Sequence, residues 1–154
     1  MVLNKGDFFS GLTTNLAYEV QDELGKGGFG ITYRVEREDG MTFVAKAAID
    51  GSERMIKCLN SEFNVLKKLQ DAQVPYVVRP VEMADTTNSF GASIPILLME
   101  VAAGDPMDSL LAGGTTIDEA TTLDIVSKIA EGLNQTHDAG FIHRDISPDN
   151  LFIE

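Results

Sequence analysis

Gly25-Lys26-Gly27-Gly28-Phe29-Gly30 stands between two runs of alternating apolar residues, and this placement restricts the fold more than any other feature of the chain. Tyr18, Val20 and Leu24 lead into it, and Ile31, Tyr33 and Val35 follow with a period of two, the pattern of a strand buried on one face. A G-x-G-x-x-G that opened a helix would suit a dinucleotide-binding crossover, and one ending in Gly-Lys-Ser/Thr would suit a Walker loop. Here the glycines are followed by a strand and that ending is missing, so both are excluded. What remains is a glycine-rich turn between two strands. Its backbone amides can approach phosphate oxygens closely, and Phe29 at the tip can fold over and exclude water, although such a turn does not by itself require a ligand.

The turn Glu38-Asp39-Gly40 and the run 41–49 complete three antiparallel strands. Ile56, Leu59, Phe63, Leu66 and Leu69, spaced by three or four, predict a helix over 52–70. Two more strands are expected over 76–83 and 95–101, joined by the polar segment 84–93. After Gly104 the pattern turns helical, with a short helix over 106–111, a break at Gly113-Gly114 and a longer helix over 116–137. Thr116-x-x-Glu119 has the form of a capping box, Leu123, Val126, Ala130, Leu133 and His137 make a stripe, and Gly140 can end the helix in a left-handed conformation. The fold class is α+β. An N-terminal extension over 1–17 precedes a lobe over 18–101, built from a five-stranded antiparallel sheet and one helix, and 102–154 begin a helical lobe.

Lys46 interrupts the apolar run Phe43-Val44-Ala45-Lys46-Ala47-Ala48. An ammonium there either marks a sheet edge or points at a fixed anion. Glu62, on the helix face of Leu59 and Leu66, favours the second reading. A Lys to Glu pair at about 4 Å is worth on the order of 4 kcal/mol at an effective dielectric of 20, before desolvation is subtracted. Near the other end, His143-Arg144-Asp145-Ile146-Ser147-Pro148-Asp149-Asn150 puts a carboxylate and a side-chain amide on one short loop. Such a pair can orient a substrate hydroxyl and hold a metal ion.

Twelve basic against 24 acidic residues give a formal charge of -12, which disfavours nucleic acid and anionic membrane surfaces as partners. The first residues lack the continuous apolar run of a signal peptide or a membrane span. The single cysteine, Cys58, excludes an internal disulfide, suits a reducing cytoplasm and reads as a packing residue of the helix.

Taken together, Gly25-x-Gly27-x-x-Gly30, Lys46, Glu62, the hinge-like Leu98-Met99-Glu100-Val101-Ala102, and His143-Arg144-Asp145 with Asn150 resemble the protein kinase family from about residue 18 onwards. Gly-Gly-Phe-Gly-Ile-Thr-Tyr and His-Arg-Asp-Ile-Ser-Pro-Asp-Asn look most like bacterial kinases of the eukaryotic-like serine/threonine type. The resemblance implies ATP and Mg2+ as cofactors, a protein hydroxyl as acceptor and a cytoplasmic location. It implies that Gly25, Gly27, Gly28, Phe29 and Gly30 cover the phosphates, with Lys46 on the α and β phosphates and paired to Glu62. Met99 would be the gatekeeper, Glu100 and Ala102 would offer backbone groups to adenine, and Thr32 and Val44 would form the roof over it, with Phe152 in the floor. Asp145 would be the catalytic base and Asn150 a magnesium ligand.

This chain departs from the family's pattern at Ser147, where serine/threonine kinases usually carry a lysine. A hydroxyl can hydrogen-bond a phosphate oxygen but cannot neutralise it. The 154 residues also contain no Asp-Phe-Gly or Ala-Pro-Glu, which reads as a kinase truncated before the Asp-Phe-Gly segment. Magnesium is usually held by one or two carboxylates with substrate phosphates, whereas here Asn150 offers a neutral amide and Asp145 is committed to the hydroxyl. The expectation is therefore a nucleotide-binding part of a kinase that does not transfer phosphate alone, its stripe exposed for self-association or for a completing chain. Two alternatives stand beside it. One is a pseudokinase-like module that binds nucleotide or a partner without catalysis. The other is a small-molecule phosphotransferase of the aminoglycoside-kinase type, against which Arg144 and the complete glycine loop argue.

Overall fold

The computed structural model describes residues 3–28, 30–49, 51–87, 91 and 93–154. In chain order the elements are β1 (Phe8–Gly11), β2 (Ala17–Lys26), β3 (Ile31–Arg37), β4 (Thr42–Ala47), α1 (Glu53–Asp71), β5 (Pro80–Thr87), β6 (Ser93–Met99), β7 (Asp105–Pro106), α2 (Met107–Ala112), α3 (Glu119–Asp138), a 3-10 turn (Pro148–Asn150) and β8 (Phe152–Ile153). The fold is α+β, with a sheet-rich part and few helices. By its contacts the chain divides into two compact units, Met1–Lys67 with Val78–Val101, and Lys68–Val77 with Ala102–Glu154.

In the first unit every pairing is antiparallel: β2 with β3, β3 with β4, β4 with β6, and β6 with β5. The alternation read from the sequence holds along β3, where Ile31, Tyr33 and Val35 are buried with Tyr18, Val20, Phe43, Ala45 and Ile96 in one core. The sheet also takes in β1, a segment the sequence reading left outside it, which pairs with β2 and β5. Its reason is Phe9, which is buried and stacked on Tyr18 at 5.6 Å between ring centroids. A smaller cluster of Leu59, Leu97 and Met99, joined by half-buried Val44, Phe63, Leu66 and Met83, seats α1 on the sheet.

Three expectations shift in detail. The strand expected from residue 76 starts at Pro80, because Gln73 and Tyr76 adopt left-handed backbone at φ 56° and 58° and the chain is still turning. The segment 84–93 is not simply a polar connection: β5 continues to Thr87 and β6 begins at Ser93, with Thr87 paired to Ser93 across the ladder. Residues 88–90 and 92 of that segment lie outside the described residues. Cys58 is exposed on α1, not packed, because the buried face runs through Leu59, Phe63 and Leu66.

In the second unit, α3 starts two residues later than a Thr116 cap would place it. Asp118 is the N-cap, its carboxylate accepting from the Thr121 amide at 2.9 Å, so Glu119 becomes the first helical residue and cannot close the expected box. Leu123 and Val126 are exposed, as expected of the stripe, while the buried residues of the helix are Ile125, Gly132 and Thr136. A stripe drawn through large apolar side chains passes over this face because two of its members are small or polar. Gly132 lets the helix approach the Pro75 carbonyl, to which an added Cβ would come within 3.0 Å, and the Thr136 hydroxyl donates to the Gly132 carbonyl at 2.8 Å. Gly140 ends the helix at φ +87° as anticipated.

Glu82 is 2% exposed and was not singled out in the sequence. Its carboxylate accepts from the Thr13 amide at 2.8 Å, the Thr14 amide at 3.0 Å, the Thr14 hydroxyl at 2.6 Å and the Tyr18 hydroxyl at 2.8 Å. Burial pushes the Glu82 pKa up, but the hydrogen bonds, led by those from Thr14, outweigh it and hold the group below its ordinary value of 4.5. A glutamate whose folded pKa lies below its unfolded one contributes stability in full above pH 4.5 and loses it as pH falls through the folded value. Glu82→Gln sets an amide N–H among these donors and should cost about 1–3 kcal/mol at neutral pH. In urea titrations repeated down the pH scale, the gap between native and variant should close below pH 4.5; a gap that persists in acid would refute this account.

Candidate functional site

Lys46 is placed by the pleat of β4. Side chains of a strand alternate between faces, so Phe43, Ala45 and Ala47 enter the main core while Val44 and Lys46 turn to the face that α1 covers. There Lys46 Nζ donates to Glu62 Oε1 at 2.7 Å and to Oε2 at 2.8 Å. Glu62 comes from α1, one turn from Leu59 and Leu66 of the smaller cluster. The two side chains are 22% and 35% exposed, so the pair is partly desolvated, stronger than a surface pair and free of the full penalty of burial. Across β3, Thr32 is the ladder partner of Lys46 and donates its hydroxyl to the Gly25 carbonyl at 3.2 Å.

The glycine turn closes with the Gly27 amide donating to the Gly30 carbonyl at 2.9 Å, just beyond the last ladder pair, Lys26 with Ile31. Its glycines serve different ends. A Cβ on Gly30 would come within 2.8 Å of the Ala47 carbonyl and 3.3 Å of Lys46 Cγ, so there the backbone passes too close to β4 for any side chain. Around Gly27 and Gly28 nothing among the described residues lies within 4 Å of where a Cβ would sit, leaving their backbone open to approach from outside. Phe29 lies outside the described residues. Met99 is buried beside Leu97 and pairs with Val44 across the ladder. Glu100 is exposed and donates its amide to the Arg79 carbonyl at 3.0 Å, so the backbone group it can still offer is its carbonyl. Val101 is the last residue of the first unit and Ala102 opens the second stretch of the other.

The second unit carries the loop 141–147 and the 3-10 turn. Arg144 adopts φ +66°, a left-handed conformation uncommon for a long side chain. The Asp145 amide donates to His143 Nδ1 at 3.3 Å. Asn150 Nδ2 lies 3.1 Å from each of three acceptors: the Asp145 carbonyl, Asp145 Oδ2 and Ser147 Oγ. Asp145 and Asn150, paired in sequence by spacing alone, are therefore in hydrogen-bond contact, and Ser147 joins them. The loop is anchored where the Met107 amide donates to the Leu151 carbonyl at 2.8 Å and β7 pairs with β8, Pro106 opposite Phe152. Phe152 is 46% exposed.

The two units carry different chemistry. The first presents an ammonium fixed by a carboxylate beside an open glycine turn, which fits an anionic, phosphate-bearing ligand. The second presents a carboxylate and a neutral amide oxygen on one loop. Asn150 can supply one oxygen to a magnesium ion, yet among the described residues no group of three His, Cys, Asp or Glu side chains could hold a metal by itself. The nucleotide fits the residues present. The metal fits only where phosphate oxygens and a further carboxylate complete its shell. The contact the sequence reading missed is Ser147 to Asn150; its signal was the spacing of three around Pro148, which suits a 3-10 turn.

A family model described as "Protein kinase domain" matches residues 18–154. The chain is 29% identical over 145 residues to an inhibitor of nuclear factor kappa-B kinase subunit alpha of Gallus gallus, covering 89% of this chain and 18% of that protein. It is 29% identical over 140 residues to myosin light chain kinase A of Dictyostelium discoideum, covering 89% of this chain and 45% of the relative. With the serine/threonine-protein kinase RAD53 of Saccharomyces cerevisiae it shares 30% identity over 156 residues, covering 100% of this chain and 17% of the relative. The chain thus spans less than half the length of these curated relatives. The structure of vaccinia related kinase 3 superposes with a TM-score of 0.71 at 15% identity, covering 100% of this chain and 48% of that one, a likeness of fold.

The glycine turn yields a test in which the roles of its glycines separate. Gly30→Ala should lower stability by about 1–3 kcal/mol, since a backbone carbonyl stands where the methyl would go. Gly27→Ala and Gly28→Ala should unfold within about 1 kcal/mol of the native protein. Thermal and urea denaturation of the three variants checks the ranking.

Proposed function

The chain belongs to the protein kinase domain family, and from this premise we propose that it is the ATP-binding part of a serine/threonine protein kinase, one that passes the γ-phosphoryl group of ATP to a protein hydroxyl. The observation that carries the reading is the double hydrogen bond from Lys46 to Glu62, at 2.7 and 2.8 Å, beside the glycine turn. An ammonium so held points at a fixed place, which is what binding a polyphosphate needs.

On this reading Gly25, Gly27, Gly28, Phe29 and Gly30 cover the phosphates and Lys46 contacts the α and β phosphates. Met99, Glu100, Ala102, Thr32, Val44 and Phe152 surround adenine. Asp145 accepts the proton of the substrate hydroxyl as the new P–O bond forms and the bond to ADP breaks. Asn150 offers its oxygen to magnesium, which when bound neutralises charge on the phosphates. Gly-Gly-Phe-Gly-Ile-Thr-Tyr and the Ser-Pro-Asp-Asn that follows Asp145 and Ile146 support placing the chain with bacterial eukaryotic-like kinases. No helix among the described residues is long and apolar enough to cross a membrane; on this reading the acceptor is a protein in the cytoplasm. Exposed Leu123, Val126, Ile142 and Phe152 are where a further chain or a second copy would find apolar surface.

A second reading, a nucleotide-binding module without catalysis, is favoured by Ser147 in the place of a lysine and by the short ligand set at Asn150. Two measurements test them, and the second decides between them. Calorimetry should detect ATP or ADP at millimolar concentration, and Lys46→Ala should weaken it about tenfold or more, the loss of a charge-assisted hydrogen bond. No heat from a folded sample would refute both readings. With ATP, magnesium and a basic protein substrate, intact mass should show no added phosphate on residues 1–154 alone. Transfer that vanished in Asp145→Ala would establish catalysis and reject the second reading.

A further inference from the structure

Asn150 Nδ2 has two hydrogens and three acceptors within 3.1 Å, the Asp145 carbonyl, Asp145 Oδ2 and Ser147 Oγ. One acceptor is therefore always surplus. We infer that Ser147 is a positioning residue: its hydroxyl oxygen holds the Asn150 amide with Oδ1 turned away from the loop, and allows the Asp145 carboxylate to let go without the amide losing its orientation. The inference rests on the proposed roles of Asp145 and Asn150 but on none of the roles proposed for the first unit.

The geometry for this is built into the turn. The Asn150 amide donates to the Ser147 carbonyl at 3.0 Å, closing a 3-10 turn with Pro148 at its first position, and the spacing of three puts both side chains on one side. Ser147 is half-buried, so its rotamer is confined, whereas Asp145 is exposed and free to turn. When Asp145 Oδ2 leaves to face a hydroxyl, the Asp145 carbonyl and Ser147 Oγ still match the two hydrogens one to one. Without Ser147 the second hydrogen is left to the exposed Asp145 Oδ2, for which water competes, and the amide is loosened.

A hydroxyl suits this task for a reason that also explains the departure from lysine. It accepts through oxygen while its own hydrogen remains free to donate to a phosphate oxygen, whereas an ammonium only donates. Lysine at 147 could meet a phosphate but could not hold Asn150 from this side. Ser147 thus exchanges charge at the phosphate for a fixed amide oxygen at the metal position.

The side-chain amide of Asn150 reports on this directly by NMR in the 154-residue protein, with no need for turnover. In the native protein and in Ser147→Thr, its two hydrogens should have separated shifts and slowed exchange with water. In Ser147→Ala and Ser147→Lys, exchange should quicken by about 3- to 10-fold, the loss of one neutral hydrogen bond. Adding Mn2+ with ATP should broaden the same signals, at about 3- to 10-fold higher Mn2+ in the Ala and Lys variants than in the Thr variant. Unchanged exchange in Ser147→Ala, or a Lys variant that behaves like Thr, would overturn the inference. Normal protection in the native protein without any broadening by Mn2+, at an ATP concentration where calorimetry shows binding, would leave Ser147's hold on Asn150 established and reject Asn150 as a metal ligand within residues 1–154, so the two failures are distinguishable.

Discussion

The pleat of β4 is the constraint on which the rest of the first unit depends. Because side chains alternate strictly, burying Phe43, Ala45 and Ala47 obliges Val44 and Lys46 to face the other way, and a half-buried ammonium there is stabilised by a carboxylate. Glu62 supplies it from α1, and the apolar residues on either side of it, Leu59 and Leu66, seat the same helix on Leu97 and Met99. One register thus fixes three things at once: which face is core, where the helix lies and where the ammonium points. A slip of one residue along β4 would bury Lys46 among Tyr18, Tyr33 and Ile96 and expose the alanines. The glycine turn answers to the same strand, since Gly30 is bare because the Ala47 carbonyl and the Lys46 stem lie against it.

Patterns of period two were legible wherever one face is buried and the other is not, as in β3 and β4, and the helix carrying Glu62 was found within one residue at each end. The pairing of Lys46 with Glu62 could be inferred because a charge inside an apolar run asks for a partner and only a limited set of positions can provide it. Legibility failed where the decisive group is small or polar. Gly132 and Thr136 define the buried face of α3 by their lack of bulk and by a hydroxyl bonded back to the helix, and no count of large apolar residues reveals that. Backbone conformation was equally hidden: Tyr76 looks like the start of a strand by residue type and is a turn by its φ.

Chemistry on the 141–151 loop was half legible. The spacing of Asp145 and Asn150 announced a carboxylate and an amide on one loop, and it could not announce that Ser147 would bond to the amide, because that depends on the handedness and tightness of the turn at Pro148. A residue judged from sequence by what it lacks, a positive charge, is seen in the structure by what it accepts.

Glu82 bears on where this domain begins. The family match starts at residue 18, whereas three of the four hydrogen bonds that satisfy the buried Glu82 carboxylate come from Thr13 and Thr14. Gly11 is bare for the same reason, since a Cβ there would run into that carboxylate. A protein cut at residue 18 would keep the glycine turn, Lys46, Glu62 and the 141–151 loop and yet leave an acid inside the sheet lobe with Tyr18 as its remaining partner. The physical edge of the domain is therefore set by solvation of one side chain, and it lies upstream of the edge that the family model draws.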